Sequence, residues 1–254
     1  MPTIDANREF WNKSYEWPKE GEEWSRAFGG SDMQWYASIL PRIHAFIPTR
    51  RILEIAPGFG RWTHYLKDWC QHLVVVDISE KCIHACRDRF SAYPHITAHM
   101  NDGRSLDMIE DDSLNFVFSF DSLVHADDLT MSAYVSQLAA KLRDDGVAFL
   151  HHSNLGEYSP EALEETGEPT HGRASSMTAE KIRSFTVNSG MVCVSQELIP
   201  WGTDEALIDC ISILAKPAIA WTLETEIFKN TKFMSETNYI SKLSHIYGLQ
   251  RIRR

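Results

Sequence analysis

The residues best suited to chemistry fall in two kinds of place along this chain. The first is a glycine-rich stretch, Ile52-Leu53-Glu54-Ile55-Ala56-Pro57-Gly58-Phe59-Gly60-Arg61-Trp62. An apolar run enters a turn holding Gly58 and Gly60, and a helical pattern leaves it. Turns of this kind let a ligand approach the backbone closely and aim helix-N-terminal amides at it. Asp77 ends the next apolar run, 19 positions after Gly58, where a carboxylate can accept both hydroxyls of a ribose. The second kind of place is the end of an apolar run that finishes in titratable side chains. Asp121 and His125 follow Phe116–Phe120, and His151-His152-Ser153-Asn154 follow Val147–Leu150. Imidazoles near their ordinary pKa of ~6.5 can take a proton from a hydroxyl. Side chains alternate across a strand, so one of His151 and His152 is expected to face a cleft.

Charge narrows the ligand. A dinucleotide brings an anionic pyrophosphate, which Glu54 before the turn would repel, and its fingerprint wants a third glycine where this chain has Thr63. A cationic adenosyl ligand suits the acids.

The elements that must position these residues alternate. Strands are expected at Arg51–Ile55, Leu73–Val76, Ile96–His99, Asn115–Phe120 and Val147–Leu150, with helical stripes between them, such as Met131, Tyr134, Val135, Leu138 and Leu142. Alternating strand and helix imply βαβ units with right-handed crossovers and a parallel sheet covered on both faces. Residues 153–177 read as a long polar loop, followed by a helix near Ala179–Ser189 and two last strands near Met191–Glu197 and Leu207–Ala215. From Lys216 the chain reads as helical, with Ile227 and Phe228 among charged residues. Upstream, Trp35, Tyr36, Ile39, Leu40 and Ile43 follow helical spacing, which Pro41 should kink or end. The tryptophans of the first fifty residues suit either a packed helical layer or an aromatic lid over a substrate.

These motifs, in this order, resemble those of the class I S-adenosylmethionine-dependent methyltransferase family, over roughly Arg51 to Ala215. Glu54, Gly58 and Gly60 match its first motif, with Ala56 in place of the usual first glycine. Asp77 matches its ribose-binding acid. Asn101-Asp102-Gly103 is similar to the segment whose Asp meets the adenine amino group, and Phe120-Asp121-Ser122-Leu123-Val124-His125 to the motif beside the methionine end. Lys141–Gly146 is similar to the turn leading into the fifth strand. The resemblance implies a doubly wound, mostly parallel seven-stranded α/β sheet with an N-terminal helical lid (1–50), a core (51–215) and a C-terminal helical extension (216–254). It implies S-adenosyl-L-methionine as cofactor, held by Glu54, Ala56, Gly58, Gly60, Asp77, Ile78, Asp102, Gly103 and Phe120. The catalytic candidates are His152, His151, His125 and Asp121. Histidine bases suit O-methylation of a small-molecule or glycan hydroxyl. The alternatives are N-methylation of a small amine, with Asp121 receiving it, or a methyltransferase fold that binds without turnover.

Composition excludes other classes. A net charge of −10 speaks against a nucleic-acid partner, which needs a basic surface; Arg251, Arg253 and Arg254 read as a solvated tail. No apolar run reaches the ~18 residues of a membrane span, and the N-terminus lacks a signal-peptide pattern. Five scattered cysteines without a C-x-x-C pair read as reduced thiols of a cytoplasmic protein. No spacing specifies a metal. The tail leaves room for packing against a second subunit.

Overall fold

A computed structural model describes residues 3–166, 170–202, 206–217 and 224–247. Its strands are β1 (Thr49–Ile55), β2 (Cys70–Asp77), β3 (Ile96–Met100), β4 (Leu114–Ser119), β5 (Leu142–Ser153), β6 (Val192–Ile199), β7 (Asp209–Ala215) and β8 (Glu226–Lys229). They form one sheet in the order β3-β2-β1-β4-β5-β7-β6-β8. The first five are parallel, whereas β7 runs antiparallel to both β5 and β6. β1 lies between β2 and β4, so the direction of winding reverses beside it. Ligands of such sheets bind in the crevice beyond the carboxyl ends of the strands at that reversal.

Helices α1 (Ile4–Glu9), α2 (Ser31–Gln34), α3 (Leu40–Ile43), α4 (Thr63–Leu66), α5 (Glu80–Arg89), α6 (Asp128–Lys141), α7 (Pro160–Thr166), α8 (Ala179–Asn188) and α9 (Asn238–Tyr247) cover it. The helices α5, α6 and α8 begin at side-chain caps. Ser79, Asp127 and Thr178 accept the backbone N–H groups of Cys82, Thr130 and Lys181, satisfying donors that the helix itself leaves unpaired. Alternation along β1 divides the core in two. Leu53 and Ile55 pack with Met131, Val135, Leu138 and Ile182 on one face. Ile52 packs with Trp35, Ile39, Leu66 and Phe118 on the other.

Three expectations are corrected. The sheet has eight strands instead of seven, because Glu226–Lys229, expected as helix, pairs parallel with β6. Ile227 and Phe228 stay exposed there, so apolar residues among charges mark an edge strand as readily as a helix face. The expected polar loop contains α7, whose short acidic sequence carries little apolar periodicity. The break expected at Pro41 appears as a π-helical turn over Trp35–Ile39 within an otherwise helical run from Ser31 to Ile43. Proline lacks the N–H of the normal ladder, and a π turn absorbs that defect without ending the helix. The arginines at 251, 253 and 254 lie outside the described residues.

Candidate active site

The glycine turn joins β1 to α4. Ala56 and Gly58 both have left-handed backbones, with φ of 58° and 59°, and the Ala56 N–H donates to the Val76 carbonyl at 2.7 Å. A Cβ at Gly58 would stand 2.6 Å from the ring of Trp17, so glycine is required there by backbone and by space. Gly60, with φ of 84°, is required on both counts as well: a Cβ would lie 2.4 Å from Phe90, at the end of α5. Asp77, at the end of β2, is tied to this turn. Its Oδ2 accepts the Gly58 N–H at 3.2 Å and its Oδ1 the Ser79 N–H at 2.8 Å. Burial raises the Asp77 carboxyl to about 6, against the lowering effect of those N–H groups.

A cavity of about 220 Å³ runs from Gly103 and Ile78, past Asp77 and Gly58, to Arg61, Asp121 and Trp201. At its first end Gly103 makes room for Ile78 and Ile4: a Cβ there would sit 3.0 Å from Ile78 Cδ1 and 3.1 Å from Ile4 Cγ2. An apolar slot beside a ribose-sized acid and a glycine turn fits an adenosine. At the other end Arg61 and Asp121 form a buried ion pair at 2.8 Å. Arg61 also donates to Ser25 Oγ and lies over the Trp62 ring. Asp121 Oδ1 has no hydrogen-bond partner among the described residues. Trp11, Trp17 and Trp24 wall the cavity from the N-terminal side, and Trp17 stacks on Phe59 with centroids 4.5 Å apart. Trp35 is instead fully buried in the core. The N-terminal tryptophans therefore divide between cover and packed layer.

The sequence-derived candidates separate along this geometry. Ala56, Gly58, Asp77, Ile78, Gly103, Asp121 and His125 line the cavity. Glu54, Gly60, Asp102, Phe120, His151 and His152 do not. Glu54 shares the buried face of β1 with Ile52, where it accepts Thr63 Oγ1–H at 2.5 Å. Burial raises it to about 8. Position 63 thus holds the hydroxyl that fastens this acid, which explains the missing third glycine. Asp102 faces solvent and accepts the Arg104 and Ser105 N–H groups, which hold its carboxyl below the usual range. Phe120 is buried against Trp62 and His151.

The four residues from His151 to Asn154 fasten the structure around the cavity. His152 donates from Nδ1 to the Ser153 carbonyl and accepts the Ser212 hydroxyl at Nε2; burial lowers it to about 4. Ser153 Oγ donates to the Ala174 carbonyl, and Asn154 Oδ1 accepts the Ala179 N–H. His151 accepts the Asp121 N–H at Nδ1 and bonds Asp209 through Nε2. Neither ring opens onto the cleft: both are fully buried, with His151 packed between Phe120 and Trp201 and His152 tied to Ser153 and Ser212.

His125 is placed differently. It lines the cavity, its Nδ1–H donates to the Gly172 carbonyl at 3.0 Å, and Nε2 has no protein partner among the described residues. Burial lowers its pKa, partly offset by that carbonyl, so the neutral ring is favoured. Arg61, Arg173 and Trp201 also line the cavity. Arg61 was legible beside Gly60, whereas Arg173 and Trp201 lie in stretches without periodicity.

Comparison with known proteins agrees with this architecture. Residues 52–146 match the family model described as a methyltransferase domain. A ribosomal RNA small subunit methyltransferase A from Geobacter sulfurreducens is 36% identical over 76 residues, 29% of this chain and 28% of that protein. The chain therefore spans under a third of that relative's length. Among solved structures, magnesium protoporphyrin IX methyltransferase from Synechocystis PCC 6803 aligns with TM-score 0.59 and 18% identity, covering 85% of this chain and 100% of that one. A Haemonchus contortus phosphoethanolamine N-methyltransferase aligns with TM-score 0.60 and 14% identity, covering 98% and 56%. Residues 52–146 thus carry a methyltransferase domain, and the sheet that surrounds it has the fold of the class I S-adenosylmethionine-dependent methyltransferases.

Proposed function

We propose that the protein transfers a methyl group from S-adenosylmethionine to a hydroxyl of a small-molecule or glycan acceptor, with His125 as the base. The observation that carries this reading is the state of His125. Its Nδ1–H is committed to the Gly172 carbonyl, which leaves Nε2 as an acceptor in a cavity wall. A ring held neutral by burial can take the hydroxyl proton as the new C–O bond forms.

Bound in this cavity, S-adenosylmethionine would supply a methyl group already activated on a sulfonium for in-line displacement. The chain's own residues do the rest. Asp77 accepts the ribose hydroxyls, and Ile78 and the Gly103 cradle seat the adenine. The Arg61–Asp121 pair presents N–H donors and one open carboxylate oxygen to the amino-acid end. Trp11, Trp24 and Trp201 exclude water from the acceptor side and align the acceptor, which is where much of the rate must come from.

The open Asp121 Oδ1 favours a second reading, N-methylation of an amine seated on that oxygen. The two are separated by S-adenosylhomocysteine formation with a panel of hydroxyl and amine acceptors. Hydroxyl methylation requires that His125→Ala and His125→Phe lose turnover while keeping cofactor affinity. Turnover confined to amines and indifferent to His125 would replace the first reading with the second.

A further inference from the structure

We propose that His151 and Asp209 are positioning residues that form a strut holding Asp121 in its working conformation. The role rests on the reading of the cavity as an S-adenosylmethionine site.

Asp121 follows β4 with φ of +61°, a left-handed backbone that strains most residues with a Cβ and that Asp, though it enters it more readily than most, keeps here with the help of its surroundings. The supporting contact is the Asp121 N–H, which donates to His151 Nδ1 at 3.0 Å. An N–H only donates, so Nδ1 carries no hydrogen and the ring's proton is on Nε2. That proton is given to Asp209 Oδ2 at 3.0 Å. Asp209 in turn accepts Arg173 Nε and Nη2, both at 2.6 Å. Although burial alone would raise Asp209, Arg173 and His151 hold it well below the ordinary carboxylate range.

Both ring nitrogens of His151 are thereby committed. Its ring is packed between Phe120 at 4.6 Å and Trp201 at 5.3 Å, so it cannot turn to serve as a base. A neutral imidazole of fixed tautomer is a stiff spacer. It joins the wall bearing Arg173 to the turn bearing Asp121, and it leaves the Asp121 carboxylate with Oδ2 on Arg61 and Oδ1 facing the ligand. Without the strut, Asp121 would relax toward an ordinary backbone and swing that oxygen away from a cationic amino end.

The test has two arms on the full chain. The first reads the ¹⁵N resonances of His151 at pH 7, where the strut requires Nε2 protonated and Nδ1 bare; an Nδ1-protonated ring overturns it. The second compares, by calorimetry, S-adenosylhomocysteine with 5′-methylthioadenosine, which lacks the amino-acid end. His151→Leu and His151→Gln should weaken S-adenosylhomocysteine by about tenfold or more and 5′-methylthioadenosine by less than about threefold. His151→Asn, whose Oδ1 can accept the same N–H but whose shorter side chain gives up the bond to Asp209, should recover part of the loss, binding S-adenosylhomocysteine more tightly than His151→Leu but more weakly than native. Equal loss of both ligands, or no loss, overturns the strut. If the native protein binds neither ligand, the cofactor reading fails, and the tautomer arm still decides the strut.

Discussion

The Gly58 amide donates to Asp77 Oδ2 at 3.2 Å, so the bend after β1 and the acid after β2 form one unit. Displacing either residue displaces the other. This coupling turns two distant sequence signals into a single ribose seat.

Asp77→Ala should weaken S-adenosylhomocysteine binding at least about tenfold, or ~1.4 kcal/mol, with the fold retained. Calorimetry beside a far-ultraviolet dichroism spectrum checks both halves. Unchanged affinity would remove the ribose assignment.

The pH dependence carries two opposite signs. Ribose hydroxyls donate to an ionised carboxylate, so affinity should fall as pH drops through about 6, the value to which burial raises Asp77. The slope should approach about tenfold per pH unit, and Asp77→Asn should flatten it. Folding behaves in reverse. A carboxyl raised on folding contributes stability below its unfolded pKa and loses it as pH rises through the folded value. Asp77 at about 6 and Glu54 at about 8 should therefore lower the melting point of the ligand-free protein from pH 5 to pH 8, against the opposite contribution of His152 and His125, whose pKa values are lowered by burial. Thermal unfolding of native protein and Glu54→Gln measures this, the variant losing most of the difference.

Gly58→Ala should cost ~1–2 kcal/mol of stability from the left-handed backbone alone. It should also push the Trp17 ring off Phe59, because the added Cβ would stand 2.6 Å from that ring. Denaturant unfolding and a shift in tryptophan emission report the two effects separately. A variant with native stability and emission would mean that Trp17 does not rest on this bend.

His152→Ala should destabilise the protein by about 2 kcal/mol, since it strands the buried partners Ser212 and Ser153. Cofactor affinity in the surviving folded fraction should be native. Selective loss of turnover without loss of stability would return His152 to the list of catalytic candidates.

The strand-and-helix order, the glycine turn and Asp77 were readable because each leaves a local pattern: apolar runs, a Gly-x-Gly bend and an acid at a strand end. The direction of His151 and His152 was not. Their alternation along β5 was legible, but whether either side opens to a cleft depends on β7, paired from 60 residues away at Ser212. The same applies to Arg173 and Trp201, which reach the cavity wall only through tertiary contacts with Asp209 and His151. β8 was missed because a four-residue edge strand has too few positions for alternation to declare itself.

The central claim is that this cavity takes an adenosyl amino acid without phosphates and not a dinucleotide, and titration calorimetry of the purified chain with S-adenosylhomocysteine and with NADH tests it most directly. The account predicts one S-adenosylhomocysteine site per chain, weakened by Asp77→Ala, and no heat from NADH. Binding of NADH at the Asp77-dependent site, with S-adenosylhomocysteine unable to compete, would contradict it.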